Sequence, residues 1–313
     1  MLKNISIIIL SLCCACSTGV KKTGTTDSDR DTLRVMTFNM WLGGDGGGQP
    51  PEKSAEVIRV SEAKIVGMQE TRSYNKGGTV FSDNALKITR NLGWNYFSQG
   101  DYGILTAYAI VDSTKNKLGI KLKIGSNRYL WVFNCHLFYI PYQPYQLAGK
   151  PYGNFPFIKT EEEAVHFAKS ARGKEVDEYI REIKPILSEG WPVLLTGDFN
   201  EPSFLDWATT AAKAGLCKLK VEWPATKAFS DIGFSDAFRV MYPDEVKYPG
   251  ETWSSIDAPG EIHDRIDFVF YRGKQLKVVN ARTIGFKDGK SGIGVNDYPS
   301  DHRAVTVNFE WIK

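Results

Sequence analysis

The chain has 313 residues, 42% of them hydrophobic and 24% charged, with a formal net charge of +3. That is the composition of a soluble globular protein, long enough for one large domain or two ordinary ones. The near balance of charge, with no Lys/Arg block and no basic tail, excludes binding to nucleic acid through bulk positive charge and leaves only a local patch open.

The first element is a leader. Residues 1–16, MLKNISIIILSLCCAC, hold a Lys, a short apolar run and a Cys cluster. The run is too short to span a bilayer and reads as a secretory signal peptide. Ala15 before Cys16 resembles a bacterial lipoprotein signal, whose Cys is lipidated after cleavage. Cys13 departs from that pattern, so a plain signal cleaved nearby is the alternative. Residues 17–30 are polar and aperiodic, as in a flexible tether. The expectation is an exported, monomeric protein held at the periplasmic membrane or cell surface through a lipid anchor only, with one folded domain over residues 31–313. Two cysteines remain there, Cys135 and Cys217, without metal-site spacing; one bridge or two free thiols fit them.

Strands and helices then alternate. LRVMTFNM reads as a strand with Leu33, Val35 and Thr37 on one face, SAEVIRVSEAK as a helix, and IVGMQE as a short apolar strand. SDNALKITRNLG has an N-cap candidate in Ser82 and a stop at Gly93. WNYFS, GILTAYAIVD, KLGIKLKIG and RYLWVFNCHL read as strands, the last after a Gly-Ser-Asn hairpin turn. A polar-aromatic segment from Tyr139 to Ile158 precedes the clearest helix. That helix opens on a Thr160/Glu163 capping box and carries an apolar stripe of Ala164, Phe167, Ala168, Ala171, Val176, Tyr179, Ile180 and Ile183, with His166 off the stripe. WPVLLTGDFN is a buried strand, a helix is expected near Ser203–Ala214, and RIDFVFY, KVVNARTIG and AVTVNFEW close the domain as strands. Strands outnumber helices and several neighbours read as hairpins. The fold class is therefore α/β, with two mixed sheets packed together and helices outside.

Several apolar strands end or begin on residues that no strand requires: Asn39, Glu70, His136, Asp198 with Asn200, Asp267, and Asp301 with His302. Singly, each is an ordinary turn residue. Together they place carboxylates, amides and imidazoles at strand ends that converge on one rim, the grouping a metal-assisted hydrolase needs.

In chain order, TFN, MQE, NCHL, TGDFN, RIDFVF and SDH resemble the endonuclease/exonuclease/phosphatase superfamily, which includes deoxyribonuclease I-like nucleases and neutral sphingomyelinases. The resemblance spans Leu33 to Trp311. It implies a four-layer α/β sandwich and hydrolysis of a phosphoester with Mg²⁺, or Mn²⁺ in its place. It implies metal ligands in Glu70, Asn39 and Asp301. Asp198 and Asn200 would orient or deprotonate water, with His302 as acid-base partner or phosphate contact. Asp267 would fix the His302 tautomer, and His136 would donate to a phosphate oxygen. Either Asp198 or His302 fits the general base.

Two stretches bear on the substrate. In GEIHDRIDFVF an extended backbone would put His263, Arg265 and Asp267 on one face, so His263 and Arg265 are substrate-binding candidates. The Tyr139–Ile158 segment follows His136 directly, and Tyr139 is a third candidate; its rings suit a base, a sugar, an inositol ring or lipid. Low Lys/Arg content there favours a small-molecule or lipid-headgroup phosphoester over duplex DNA. A secreted nuclease acting on DNA or RNA and a non-catalytic ligand-binding lipoprotein on the same fold are the alternatives.

Overall fold

Alternation decides which way each strand faces. In β1 (Thr32–Asn39), Leu33 and Val35 turn into one core while Met36 and Phe38 turn into another. This is the period-two pattern of a strand buried on both sides. The structure is a computed structural model that describes residues 32–312 apart from Lys76. The leader and tether expected over residues 1–16 and 17–30 lie outside the described residues.

After β1 come α1 (Pro51–Ser61), β2 (Ile65–Gln69), a small hairpin of β3 (Arg72–Tyr74) and β4 (Val80–Asp83), α2 (Asn84–Leu92), β5 (Asn95–Ser98), β6 (Tyr102–Thr106), β7 (Ala109–Ser113), β8 (Gly119–Gly125) and β9 (Arg128–His136). Next are α3 (Gln143–Ala148), α4 (Glu161–Ile186), β10 (Val193–Asp198), α5 (Thr209–Lys213), α6 (Pro224–Asp231), β11 (Ser235–Asp236) and α7 (Ala237–Met241). β12 (Asp267–Arg272), β13 (Leu276–Phe286), β14 (Ile293–Val295) and β15 (Ala304–Trp311) complete the order. One sheet has seven strands in the order β14-β13-β15-β1-β2-β6-β5, and the other six in the order β11-β12-β10-β9-β8-β7. Both are mixed, with β1 parallel to β2 in the first and β9 parallel to β10 in the second.

Three apolar layers hold four structural layers together. Val35, Ile65, Val132, Leu194 and Val307 fill the space between the sheets. Met36, Phe38 and Met68 pack outward under Val57, Ile58 and Ile88 of α1 and α2. Phe133, Leu195, Phe268 and Phe270 pack outward under Tyr179 and Ile183 of α4 and Phe229 of α6. This is the sandwich of two mixed sheets with flanking helices that the sequence pattern implies.

Helix α4 starts where expected. The Thr160 hydroxyl accepts from the Glu163 N–H at 3.2 Å, and the Glu163 carboxylate accepts from the Thr160 N–H at 3.1 Å. Its buried face differs from the expected stripe: it runs Ala164, Ala168, Arg172, Val176, Tyr179, Ile183, Ile186, with Phe167, Ala171 and Ile180 only partly buried. Arg172, not Ala171, takes the central position. Its Nε donates to Glu201 Oε2 at 3.0 Å, its Nη1 to the carbonyls of Phe138 and Pro141 at 3.2 and 3.3 Å, and its Nη2 to Gln143 Oε1. Glu201 in turn accepts from the Ala225 N–H at 2.6 Å. A guanidinium is tolerated at an apolar position only because a carboxylate and three carbonyl-type oxygens meet its donors.

Other expectations shift. The cap of α2 is Asp83, whose carboxylate accepts from the Leu86 N–H at 3.0 Å, while Ser82 bonds Asn84; the stop at Gly93 stands in the left-handed region (φ 66°). GILTAYAIVD is two strands in different sheets. The chain turns at Thr106, whose hydroxyl donates to the Lys64 carbonyl and accepts from the Tyr108 N–H, both at 3.1 Å. The helix expected over Ser203–Ala214 shrinks to α5, and the aromatic segment contains α3. Cys135 and Cys217 are free thiols, and His166 is exposed.

Replacing Arg172 by Ala leaves Glu201 buried and unpaired, so urea unfolding is expected to lose roughly 3–5 kcal/mol. A loss below about 1 kcal/mol, the value of an exposed pair, would show that the pair does not anchor α4.

Candidate active site

Three strands repeat one inward pattern. Val35, Thr37 and Asn39 on β1, Val132, Asn134 and His136 on β9, and Leu194, Thr196 and Asp198 on β10 occupy alternate positions. Along each row the side chain passes from apolar to neutral polar to a residue of the site. Register aligns the rows: Thr196 pairs with Asn134 and Val269, and Asp198 with His136 and Asp267.

The middle row is a buried polar layer. Gln69 Nε2 donates to Asn134 Oδ1 at 2.7 Å and to Thr37 Oγ1 at 3.2 Å; the Thr196 hydroxyl reaches Asn134 Oδ1 at 3.1 Å. Asn134 Nδ2 donates to the carbonyls of Met68 and Gly103, both at 3.1 Å. Gly67 faces this layer, and a Cβ there would collide with the Thr196 and Asn134 side chains. Its missing side chain lets the sheets close.

Above the layer the ionisable groups meet. Asn39 Nδ2 donates to Glu70 Oε1 at 3.0 Å and to Asp198 Oδ2 at 2.9 Å, while its Oδ1 accepts from the Trp41 N–H at 2.9 Å. Glu70 Oε2 accepts from the Leu42 N–H at 2.9 Å. Gln69 points into the polar layer, so a regular strand would send Glu70 the other way. Its left-handed backbone (φ 50°) ends the strand and brings the carboxylate to Asn39. Asn200 is left-handed too (φ 48°); its N–H donates to Asp198 Oδ1 at 2.8 Å and its Nδ2 to the Leu137 carbonyl at 2.9 Å. His136 Nε2 stands 3.7 Å from Asp198 Oδ2 and 4.0 Å from Glu70 Oε1. Backbone strain of this kind collects where a site must hold a side chain in place.

β15 runs antiparallel to β1, which brings the residues before Ala304 beside Asn39. The Ser300 hydroxyl donates to the Asn39 carbonyl at 2.7 Å and accepts from the His302 N–H at 3.0 Å. His302 Nδ1 bonds Asp267 Oδ2 at 2.9 Å, and its Nε2 lies 3.8 Å from Asp198 Oδ2. Burial opposes charge on His302, but Asp267 and Asp198 outweigh it and raise its pKa from 6.5 to about 10. The two carboxylates thus favour the protonated ring, with Nδ1 donating to Asp267. Asp301 is pushed up to about 6, chiefly by burial, with Glu70 and Asp198 adding to the rise. Asp301 Oδ1 and Asp267 Oδ1 are buried and accept no hydrogen bond.

The residues named from sequence separate here. Asn39, Glu70, His136, Asp198, Asn200, Asp267 and His302 gather at one rim, with Asp301 next to His302. Asn39 turns its N–H groups, not its oxygen, toward the carboxylates. Reversing the amide would set its Nδ2 against the Trp41 N–H, so it bridges Glu70 and Asp198 where the sequence reading made it a ligand. Arg265 does not share a face with Asp267. The backbone before β12 is irregular, and the guanidinium is buried against Asp206 and Asp236 at 2.8 and 2.7 Å, between the rings of Phe238 and Phe268. It is a structural ion pair, and the substrate contact expected of it is corrected. His263 is half-buried, with Nδ1 bonded to the Ser254 carbonyl at 2.7 Å, and Tyr139 is 50% exposed.

Residues 36–302 match the endonuclease/exonuclease/phosphatase family. The chain belongs to that family. A curated relative, the uncharacterized Caenorhabditis elegans protein F14F9.5, is 29% identical over 341 residues, covering 100% of both chains. Among solved structures, an endonuclease/exonuclease/phosphatase from Beutenbergia cavernae superposes with a TM-score of 0.54 at 16% identity, over 90% of this chain and 72% of that one. An AP endonuclease from Archaeoglobus fulgidus gives 0.54 at 16% identity over 88% and 98%. TDP2 of D. rerio, solved with a single-strand DNA product, gives 0.51 at 16% identity over 89% and 99%. At such identity the likeness speaks for the fold.

For a family of phosphoesterases the donor chemistry is apt. Asp198, Asp267 and His302 each offer one ligand atom within 4.8 Å of the others, a group that could hold a metal ion. Four carboxylates, Glu70, Asp198, Asp267 and Asp301, surround one imidazolium, and two of their buried oxygens lack partners. That excess of oxygen donors and negative charge fits a hard divalent cation. Sequence reading missed Ser300, although it directly precedes Asp301. It also missed Trp253, whose ring centroid lies 6.2 Å from that of His302.

Because its folded pKa is raised, His302 contributes charge-pair stability that is complete below about pH 6.5 and lost as the pH climbs through about 10. Asp267→Asn is expected to bring the His302 titration, followed by imidazole NMR shifts, down by more than one unit. Unchanged titration would break the assignment of the pair.

Proposed function

We propose that this protein hydrolyses a phosphoester with Mg²⁺ or Mn²⁺, at the rim where β1, β2, β9 and β10 end and β12 begins beside His302. The supporting observation is the buried His302–Asp267 pair, 2.9 Å long, facing Asp198 within a set of otherwise uncompensated carboxylates. A surface that merely grips a ligand has no use for four carboxylates around an imidazolium, so the geometry favours catalysis over a binding lipoprotein.

The chain's own groups divide the work. Glu70 and Asp301 would hold the cation beside the Asp198, Asp267 and His302 group. The bound cation would offset negative charge on the phosphate and on the leaving oxygen. Asp198, fixed at one oxygen by Asn39 and at the other by the Asn200 N–H, would orient water and accept its proton. His302 would donate from Nε2 to the phosphate or leaving group, held in that state by Asp267. His136 would donate to a non-bridging oxygen. Asn39 keeps Glu70 and Asp198 a fixed distance apart.

The substrate in this reading is a small or lipid-derived phosphoester. The protein would be exported and anchored by a lipidated Cys16, working as a monomer; support for that location is the composition of residues 1–30.

The test is hydrolysis of bis-p-nitrophenyl phosphate. Turnover is expected to require Mg²⁺ or Mn²⁺ and to stop with EDTA; equal rates with and without chelator would end the proposal. Glu70→Ala and His302→Ala are each expected to lower kcat by about 10²–10⁴-fold while circular dichroism stays native. A folded His302→Ala enzyme with ordinary kcat would remove His302 from the mechanism.

A further inference from the structure

We infer that Thr252 is a positioning residue for the reaction: it holds Asp267 and His302 at the separation that their hydrogen bond needs. The inference rests on the phosphoester-hydrolase reading above and concerns its acid-base pair.

That pair is built across a gap. Asp267 opens β12 in the six-stranded sheet, while His302 stands just before β15 in the seven-stranded one. No ladder of strand hydrogen bonds sets one against the other, so another group must fix the distance. Thr252, fully buried in the connection between α7 and β12, is bonded to both sides. Its hydroxyl oxygen accepts from the N–H groups of Ile266 at 3.0 Å and of Asp267 at 3.1 Å. Its carbonyl accepts at 2.7 Å from the Arg303 N–H, which belongs to the peptide that follows His302.

The neighbours of Thr252 run between the same two approaches. The Thr252 N–H donates to the Asp264 carbonyl at 2.9 Å, and the Asp264 N–H donates back to the Trp253 carbonyl at 2.6 Å. On the other side the Ser255 N–H donates to the Asp301 carbonyl at 2.7 Å, and its hydroxyl to the Ser300 carbonyl at 3.2 Å. Between them the Trp253 ring lies against that of His302. Residues 252–255 therefore tie the backbone entering β12 to the backbone entering β15.

The choice of Thr turns on one atom. A hydroxyl oxygen accepts two hydrogen bonds, and the two N–H groups use both. A valine of the same shape would leave two buried donors unmet, and they could find partners only by moving. Asp267 would move with them and loosen its grip on His302. Glu70 follows β2 and is bonded to Asn39 and Leu42, outside this segment, so the loss should fall on the acid-base end of the site.

The test is steady-state hydrolysis of bis-p-nitrophenyl phosphate by the full chain with Mg²⁺ or Mn²⁺. Thr252→Val is expected to lower kcat by about 10–100-fold, the scale of a lost supporting hydrogen bond. KM should change by less than about threefold, and Thr252→Ser should restore kcat to within about threefold of wild type. In the Mg²⁺-loaded chain the low-field NMR signal of the His302 Nδ1–H proton should persist in wild type and Thr252→Ser and shift or broaden in Thr252→Val. Thr252→Cys keeps a weaker acceptor at the same place and takes over both measurements if the Val variant does not fold. A folded Val or Cys variant with ordinary kcat would overturn the inference. So would a lowered kcat with an unchanged Nδ1–H signal, or a Ser variant as slow as Val. Wild-type protein without metal-dependent turnover would instead remove the hydrolase reading, and this inference with it.

Discussion

A cluster of carboxylates can stand on an apolar core more readily if something neutral and largely hydrogen-bonded lies between them. Here that spacer is one residue deep on each strand. Thr37, Gln69, Asn134 and Thr196 bond one another and the backbone between the sheets. Below them the rows are Val35, Ile65, Val132 and Leu194; above them are Asn39, His136 and Asp198. An unmet amide or hydroxyl in that layer would cost free energy in a low-dielectric interior, and a met one is rigid. The layer thus sets both the separation of the sheets and the height of the site. Gly67 is where the two demands meet, because its side chain would have to occupy the space that Asn134 and Thr196 use to bond.

The second constraint is electrostatic. Burying Asp267 and His302 as separate charges would be prohibitive, but as a hydrogen-bonded pair beside Asp198 they hold a proton that neither would keep alone. One imidazolium does not balance four carboxylates. Asp301 shows the imbalance, since burial and its neighbours push it toward the protonated form. A fold that keeps such a frustrated arrangement at one rim, while satisfying nearly everything beneath it, has put its strain where chemistry is done.

Much of this was legible from the chain because strands repeat every two residues. Both sheets, the central strands and most of the rim residues follow from alternation and from polar residues placed where no strand needs them. What escaped was whatever depends on the third dimension. GILTAYAIVD looks continuous, but the bonds at Thr106 that divert it between sheets involve Lys64, far back in sequence. Alternation misplaced Arg265, since the strand does not begin until Asp267 and Asp206 and Asp236 claim the guanidinium. Arg172 hid in an apolar stripe because no local pattern announces a Glu201 29 residues away. Asn39 was legible as a site residue, but its amide direction, which turns the N–H groups to Glu70 and Asp198, is fixed only by its neighbours.

Arg172 also explains why the aromatic segment has a defined shape. Its guanidinium takes the carbonyls of Phe138 and Pro141 and the Gln143 side chain, so the chain leaving His136 is fastened to α4 within a few residues. Further along, the Tyr142 hydroxyl donates to Asp264 at 2.6 Å, Tyr145 bonds Glu261, and Gln146 donates to the Pro156 carbonyl at 2.7 Å. Polar contacts thus anchor the first half of a stretch whose residues 151–157 are exposed. A loop fastened at its start, on the strand that delivers His136, couples the deeply buried Arg172–Glu201 pair to the mouth of the site.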